Sequence, residues 1–440
     1  MMIAQMTAAS AIIFLALAPA GASAAPDCAP YYNEKTEAFL GSNDVTAIEC
    51  LLVGDERLAD KRRSLSNLEY AYLVTFDHIM RGRFNSSIDA SRDFLKRVDD
   101  RPDVLIRSIF LALVLQGRSK TALAMAALAD DSSSNPAIAE AVDDVLRNSD
   151  AKEAMTVHGD ASVSARVRTS RSGTRYFRGA IGGRPARIAL DTAAMHSIIS
   201  ASNAKAMKLI QFPEATIRVR GLYTSHPGHL AIAPSVAIGG MEIRNAPFLV
   251  LQDDAAETFG HILEDGVVLG LPFLAAVKTV EWDFKRSLVV LGAASAACTA
   301  KDMTYSNRGL TLRVTRKGAE MPIVLDTGAE VDSWLFRTPL QFYAKDVAPK
   351  SERKFRAVNP DMSTTQFGVD RFEFEFGDAT ISIRNVKTVP IDDNDTEGDR
   401  LREIGYLGFP DFSQARALSL DFESMKYRAC PRAEQRAEPF

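Results

Sequence analysis

The feature that most limits what this chain can fold into is that its C-terminal part is written twice. Ile188-Ala189-Leu190-Asp191-Thr192-Ala193-Ala194 returns as Ile323-Val324-Leu325-Asp326-Thr327-Gly328-Ala329. Each copy is followed by an apolar run ending in glycine, Val267-Val268-Leu269-Gly270-Leu271-Pro272-Phe273 in the first and Tyr406-Leu407-Gly408-Phe409-Pro410-Asp411-Phe412 in the second. An apolar-Asp-Phe triplet then closes each copy, Trp282-Asp283-Phe284 and Leu420-Asp421-Phe422, with the Asp 13 residues after the glycine both times. Asp191 precedes Gly270 by 79 residues, and Asp326 precedes Gly408 by 82. A single tetrapeptide arises by chance. Three anchors in one order and at matched spacing in both copies mark an internal duplication, so the two copies are expected to fold alike.

Within each copy the pattern reads as short strands. Arg175–Ile181 and Ala186–Leu190 flank Gly182-Gly183, a hairpin that delivers the chain into Asp191, and Thr311–Thr315 with Pro322–Leu325 flank Lys317-Gly318 and lead into Asp326. Val236–Ile238 and Met241–Ile243 around Gly239-Gly240 form another hairpin. Phe248–Leu251, Phe372–Phe376, Thr380–Ile383 and Lys387–Pro390 read as further strands. Short alternating strands at this spacing predict a mainly β C-terminal region with a barrel-like lobe in each copy.

Taken together, these motifs make residues from about 160 to 432 resemble a two-lobed aspartic peptidase of the pepsin and retropepsin clan, closest in style to the retropepsins. The resemblance implies two acid-protease-like β-barrel lobes, 160–297 and 298–432, in a pseudo-two-fold arrangement. It makes Asp191 and Asp326 the catalytic pair, with Thr192 and Thr327 bonded across the axis. Gly328 would let backbone amides approach the carboxylate, and Gly270 and Gly408 would support the Asp strands. A flap is implied at Val219–Thr224, including Gly221 and Tyr223, with Ala357–Pro360 as its counterpart. The substrate implied is an extended peptide or protein, the attacking group is water, and no metal or organic cofactor is called for. Two carboxylates about 3 Å apart cannot both ionise, so they hold one proton between them and supply base and acid at once. Pepsin is the standard example of that behaviour, which belongs to the pair and not to either residue.

One position departs from the family pattern. Ala193 stands where glycine is expected, so the turn after Asp191 must accommodate a Cβ. The alternative reading that this raises is a catalytically inactive peptide-binding or scaffold protein with the same fold.

Ahead of the duplication the chain reads differently. The apolar run Ala8–Ala20 and the small residues Gly21–Ala25 predict a signal peptide over 1–25, although no Lys or Arg precedes the run. Residues 26–155 carry helical periodicity at Asn67–Met80, Val104–Leu115, Thr121–Leu128 and Pro136–Leu146, an all-α domain of helical hairpins. It has no catalytic constellation, and it is expected either to dock a protein partner or to cap the lobes. Ser, Arg, Thr and Gly between 151 and 174 read as a linker. The four cysteines, Cys28, Cys50, Cys298 and Cys430, suit an oxidising, exported location and allow three pairings; a Cys298–Cys430 bridge would tie the copies together. A formal net charge of −4 gives no electrostatic reason for a nucleic-acid partner.

Other motifs weigh little. His226 and His229 are separated by Pro227-Gly228, read as a turn, and have no third ligand nearby. Asp392–Asp399 opens like a calcium loop, but Ile404 takes the closing position, so a solvated acidic loop is expected. Ser202/Lys205 and Ser351/Lys354 have Ser-x-x-Lys spacing without companion motifs.

Overall fold

A computed structural model describes residues 67–97, 102–131, 137–149, 154–170, 173–220, 225–256, 263, 266–306, 308–329, 333–336, 340, 344, 351–356, 363–389 and 403–432. The signal-peptide segment, Cys28 and Cys50, the flap residues Gly221 and Tyr223, Ala357–Pro360 and the acidic run 392–399 lie outside the described residues.

Among the described residues five helices precede the strands: α1 (Asn67–Met80), α2 (Phe84–Leu95), α3 (Pro102–Leu115), α4 (Ser119–Asp131) and α5 (Ile138–Arg147). Gly82 (φ 69°) and Gly117 (φ 72°) end α1 and α3 in the left-handed conformation that glycine adopts without Cβ strain, which makes two helical hairpins. Pro102 opens α3, where its missing N–H has no helical partner to lose. Leu105, Ile106, Ile109 and Leu113 then form the buried stripe of that helix. The Arg92 Nε donates to the Asp143 carboxylate at 2.7 Å and ties α2 to α5.

The first copy contains β1 (Thr156–Gly159), β2 (Val163–Arg166), β3 (Arg168–Thr169), β4 (Arg175–Ile181), β5 (Arg184–Leu190), β6 (Ser197–Ser200), α6 (Ala201–Ala206), β7 (Ile210–Arg220), β8 (Ser225–Ile238), β9 (Met241–Leu251), α7 (Asp253–Ala256), β10 (Gly266–Leu269), α8 (Leu271–Ala276), β11 (Thr279–Asp283) and β12 (Leu288–Leu291). The second contains β13 (Lys301–Ser306), β14 (Gly309–Arg316), β15 (Ala319–Asp326), β16 (Trp334–Phe336), β17 (Ser351–Arg356), β18 (Ser363–Phe376), β19 (Ala379–Val389), β20 (Gly405–Gly408), α9 (Phe409–Phe412), β21 (Ala417–Asp421) and β22 (Lys426–Cys430). In the first copy β4-β5-β10-β6-β9-β8 pair in that order, and β8 returns to β4 to close a six-stranded barrel. In the second, β14-β15-β20-β16-β19-β18 pair in the corresponding order, and Thr315 opposite Glu375 joins the last strand to the first. Closure leaves these strands no free edge.

A shared sheet joins the copies in the order β13-β22-β21-β11-β12-β2. At its centre β11 and β21 run antiparallel, Thr279 opposite Asp421 and Asp283 opposite Ala417. The paired triplets thereby gain a structural role. The Asp283 carboxylate accepts the Arg286 amide at 2.9 Å, and the Asp421 carboxylate accepts those of Glu423 and Ser424 at 3.0 and 3.1 Å, so each shapes the turn leaving a central strand. The Cys298–Cys430 disulfide closes a separation of 132 residues and fastens the start of the second copy to its last strand.

The helices belong to the same continuous apolar core as the barrels. The α3 helix packs on α8 of the first copy and α1 on β13 of the second. Phe84 lies 5.4 Å from the Tyr305 ring, and Gly82 lies against Met425 of the β21–β22 hairpin.

Three sequence readings need correction. The linker expected over 151–174 contains β1 and β2, which are held by pairing with the distant β9 and β12. Phe248–Leu251 is the end of β9 and not a separate strand; Thr380–Ile383 and Lys387–Val389 are likewise one strand, β19. No turn separates His226 from His229, because β8 runs straight through Pro227-Gly228. Pro227 faces Arg218 on one side, and on the other the ladder with β9 begins only at Gly228, so the missing N–H costs no bond there.

Candidate active site

Each Asp lies at the C-terminal end of a strand held by a parallel neighbour. Strand β5 lies beside β10, Leu190 opposite Leu269, and β15 lies beside β20, Asp326 opposite Gly408. The Asp191 amide donates to the Leu269 carbonyl at 3.0 Å. The bonds that fix the glycine turns involve two serines that the motif reading missed. The Gly270 amide donates to Ser197 Oγ at 3.2 Å, and the Gly408 amide to Ser333 Oγ at 2.9 Å. The backbone of Ser333 is itself held by the Asp411 carboxylate at 2.9 Å. A Cβ on Gly270 would lie 2.5 Å from the carbonyl oxygens of both Ala194 and His196, so glycine is required there by close approach.

The two turns meet across the copies. The Thr192 hydroxyl donates to the Leu325 carbonyl at 2.5 Å and accepts the Thr327 amide at 3.2 Å; the Thr327 hydroxyl donates to the Leu190 carbonyl at 2.8 Å and accepts the Thr192 amide at 3.1 Å. Both threonines are buried. The Leu310 amide adds a further link by donating to the Thr192 carbonyl at 2.8 Å.

The first copy's carboxylate also reaches the second copy's turn. A Cβ on Gly328 would lie 2.6 Å from both Cγ and Oδ2 of Asp191, so the first copy's carboxylate rests on the second copy's glycine. The space its missing side chain leaves is occupied by that aspartate, while its backbone amide acts on Asp326. Each carboxylate also accepts an amide of its own turn, Ala193 N–H to Asp191 Oδ1 at 2.8 Å and Ala329 N–H to Asp326 Oδ1 at 2.8 Å. Ala193 is absent from the residues with positive φ, so its backbone suits any side chain and Asp191 keeps its hydrogen bond.

Burial pushes both carboxyls above the ordinary carboxylate range, and for Asp326 the charge of Asp191 adds to the effect. The turn amides oppose this in each case and lose.

Residues 177–273 match the family model of aspartyl proteases. The aspartyl protease match runs from β4 into α8 and takes in Asp191, Thr192 and Gly270, all of the first copy. No curated protein matches the chain. Among solved structures the chain is similar to a retropepsin-like aspartic protease from Rickettsia conorii, at 18% identity with a TM-score of 0.21, covering 31% of this chain and 91% of that one.

Of the flap candidates, Gly221–Thr224 and Ala357–Pro360 lie outside the described residues. Among the described residues no group of three or more His, Cys, Asp or Glu is placed to hold a metal ion. His226 and His229 sit on β8, with His229 Nε2 2.9 Å from Gln211 Oε1.

Proposed function

We propose that this chain is an exported aspartic endopeptidase whose two homologous lobes are related by a pseudo-two-fold axis and hydrolyse a peptide bond between them. The observation that carries the reading is the reciprocal hold of Thr192 and Thr327, with the Asp191 carboxylate resting on Gly328. Such a hold serves to keep two carboxyl groups at a fixed, short separation. The corresponding strand order of the two barrels supports the axis.

In this mechanism Asp191 and Asp326 share one proton. The ionised carboxylate takes a proton from a water as that water attacks the substrate carbonyl, and the neutral carboxyl gives its proton to the carbonyl oxygen. The tetrahedral intermediate then collapses, and the amine leaves with a proton returned by the pair. The turn amides hold each carboxylate in orientation throughout, so no group has to be repositioned during reaction. Export is supported by the Cys298–Cys430 disulfide, which persists in oxidising compartments, and by the apolar N-terminal run.

The test is an Asp326→Asn variant against the natural protein on a peptide library from about pH 3 to about pH 8. The natural protein is expected to cut and the variant not to. Equal turnover by both would remove the pair from the chemistry, and peptide binding without cutting by the natural protein would leave a binding protein in its place.

A further inference from the structure

The two copies present different walls beside their aspartates. In the first, Ala189 stands opposite Val268, and Val268 opposite Ile198, across β5, β10 and β6. In the second, Val324 stands opposite Tyr406, and Tyr406 opposite Trp334, across β15, β20 and β16. Side chains alternate between faces along a strand. Leu190, Leu269 and Ile199, like Leu325, Leu407 and Leu335, turn into the main core. The residues between them therefore share the face of the carboxylates, two residues upstream of each Asp on its own strand.

The first wall is aliphatic at the matching positions. Ala189, Val268 and Ile198, all buried, join Leu251 and Leu263 in a small apolar cluster separate from the main core, with the partly buried Tyr176 and Ala194 packed against it. The second is aromatic and buttressed. Trp334 and Tyr406 stack with ring centres 5.3 Å apart at 25°, Phe336 meets Tyr406 edge-on at 5.8 Å, and the Arg308 guanidinium lies 4.6 Å over Phe336. Behind it the buried Glu403 carboxylate lies 3.9 Å from Arg308 Nε and accepts the Thr311 hydroxyl at 3.2 Å. Trp334 and Tyr406 nevertheless remain partly exposed. Burial pushes the Tyr406 phenol up, the Arg308 charge opposes this, and the charges of Glu403, Asp326 and Asp191 add to it.

We infer that the cleft reads its substrate unequally: the Trp334–Tyr406 wall accepts a flat aromatic side chain on one side of the cleaved bond, and the Ala189–Val268–Ile198 wall a compact aliphatic one on the other. Large stacked rings offer an aromatic side chain a face to pack on, and the shorter side chains of the other wall match branched aliphatic groups. This inference rests on the peptidase reading, and its test separates the two.

Cleavage sites in a randomised peptide library are read for the natural protein, for Tyr406→Val, for Trp334→Ile with Tyr406→Val, which gives the second copy the first copy's residues, and for Tyr406→Phe. The natural protein is expected to prefer aromatic residues on one flank only. Both Val-containing variants should lose that preference by about tenfold or more in kcat/KM while the other flank is unchanged, and Tyr406→Phe should keep it. Identical preferences on both flanks, or an undiminished aromatic preference in folded Tyr406→Val, would overturn the inference. Trp334 fluorescence on titration with uncleaved peptides gives a second readout. If the natural protein cuts nothing yet aromatic peptides perturb Trp334 more than aliphatic ones, and Tyr406→Val abolishes the difference, the peptidase reading fails and the wall assignment stands. If neither cleavage nor fluorescence distinguishes the peptides, the wall assignment fails.

Discussion

Thr192 and Thr327 each fill the other's hydrogen-bonding needs: each hydroxyl gives its proton to the carbonyl preceding the other copy's aspartate and receives the amide of the other threonine. Removing one hydroxyl leaves a buried carbonyl and a buried amide without partners. Thr192→Ala is therefore expected to cost about 1–3 kcal/mol in denaturant unfolding. Thr192→Ser should retain most of it, and Thr327→Ala should cost a comparable amount, because its hydroxyl makes the equivalent pair of bonds to the Leu190 carbonyl and the Thr192 amide. An unchanged unfolding free energy in both alanine variants would show that the two turns are held by something else.

Gly328 and Ala193 occupy matching positions and should respond oppositely to exchange. Gly328→Ala places a Cβ 2.6 Å from the Asp191 carboxyl carbon, so the carboxylate has to move. A displacement near 1 Å at a reacting group removes about two orders of magnitude of rate, and turnover should fall by that much with the protein still folded. Ala193→Gly relieves no backbone strain, since Ala193 has no positive φ. Its turnover should stay within a fewfold of the natural protein, as a side-by-side activity assay would show.

The buried aspartates give a signed pH dependence. Their pKa values are higher folded than unfolded, chiefly through burial. Their contribution to stability is therefore complete below the unfolded carboxyl range of about 4 and is lost as pH rises through the raised folded values. Asparagine mimics the neutral carboxyl and cannot ionise. The Tm of Asp326→Asn minus that of the natural protein should thus grow as pH increases from about 4 into the neutral range. A difference independent of pH would contradict the raised values.

Cys298 and Cys430 span 132 residues, nearly all of the second copy. Replacing both by alanine is expected to cost about 2–5 kcal/mol, read as a lowered Tm that a reducing agent reproduces in the natural protein and leaves unchanged in the variant.

Tyr305 is fully buried between Phe84 and Phe422, and its hydroxyl meets no partner among the described residues. Burying that group unpaired is unfavourable, so Tyr305→Phe should leave stability unchanged or raise it by about 1 kcal/mol in thermal or denaturant unfolding. A loss of more than that would show that the hydroxyl is bonded.

What could be read in the sequence was whatever short-range pattern encodes. Apolar residues running into Asp-Thr specify a buried strand ending in a turn, and their repetition gave both barrels' Asp strands and both supporting glycines. Longer features depended on partners remote in the chain. Strand β1 is exposed at all four residues and has no apolar alternation, so only its pairing with β9 makes it a strand. Strand β9 read as two pieces because Asn245, at φ 57°, interrupts its alternation. Ser197 and Ser333 look like ordinary loop serines until the fold brings Gly270 and Gly408 to them; their one sequence signal is that they fall six and seven residues after the paired aspartates. The contrast between Val268 and Tyr406 was written inside the aligned motifs, and it acquired meaning only once the register put both on the carboxylate face.

The helices ahead of the duplication touch one barrel through α3 and α8 and the other through α1, Phe84 and Tyr305. A trimmed version starting near residue 155 would bare Leu271–Ala276, Tyr305 and Met425 to water, an oily underside inviting self-association. Anyone shortening this polypeptide for crystallisation or activity work should cut upstream of Asn67, because the ground floor and the two towers were built as one house.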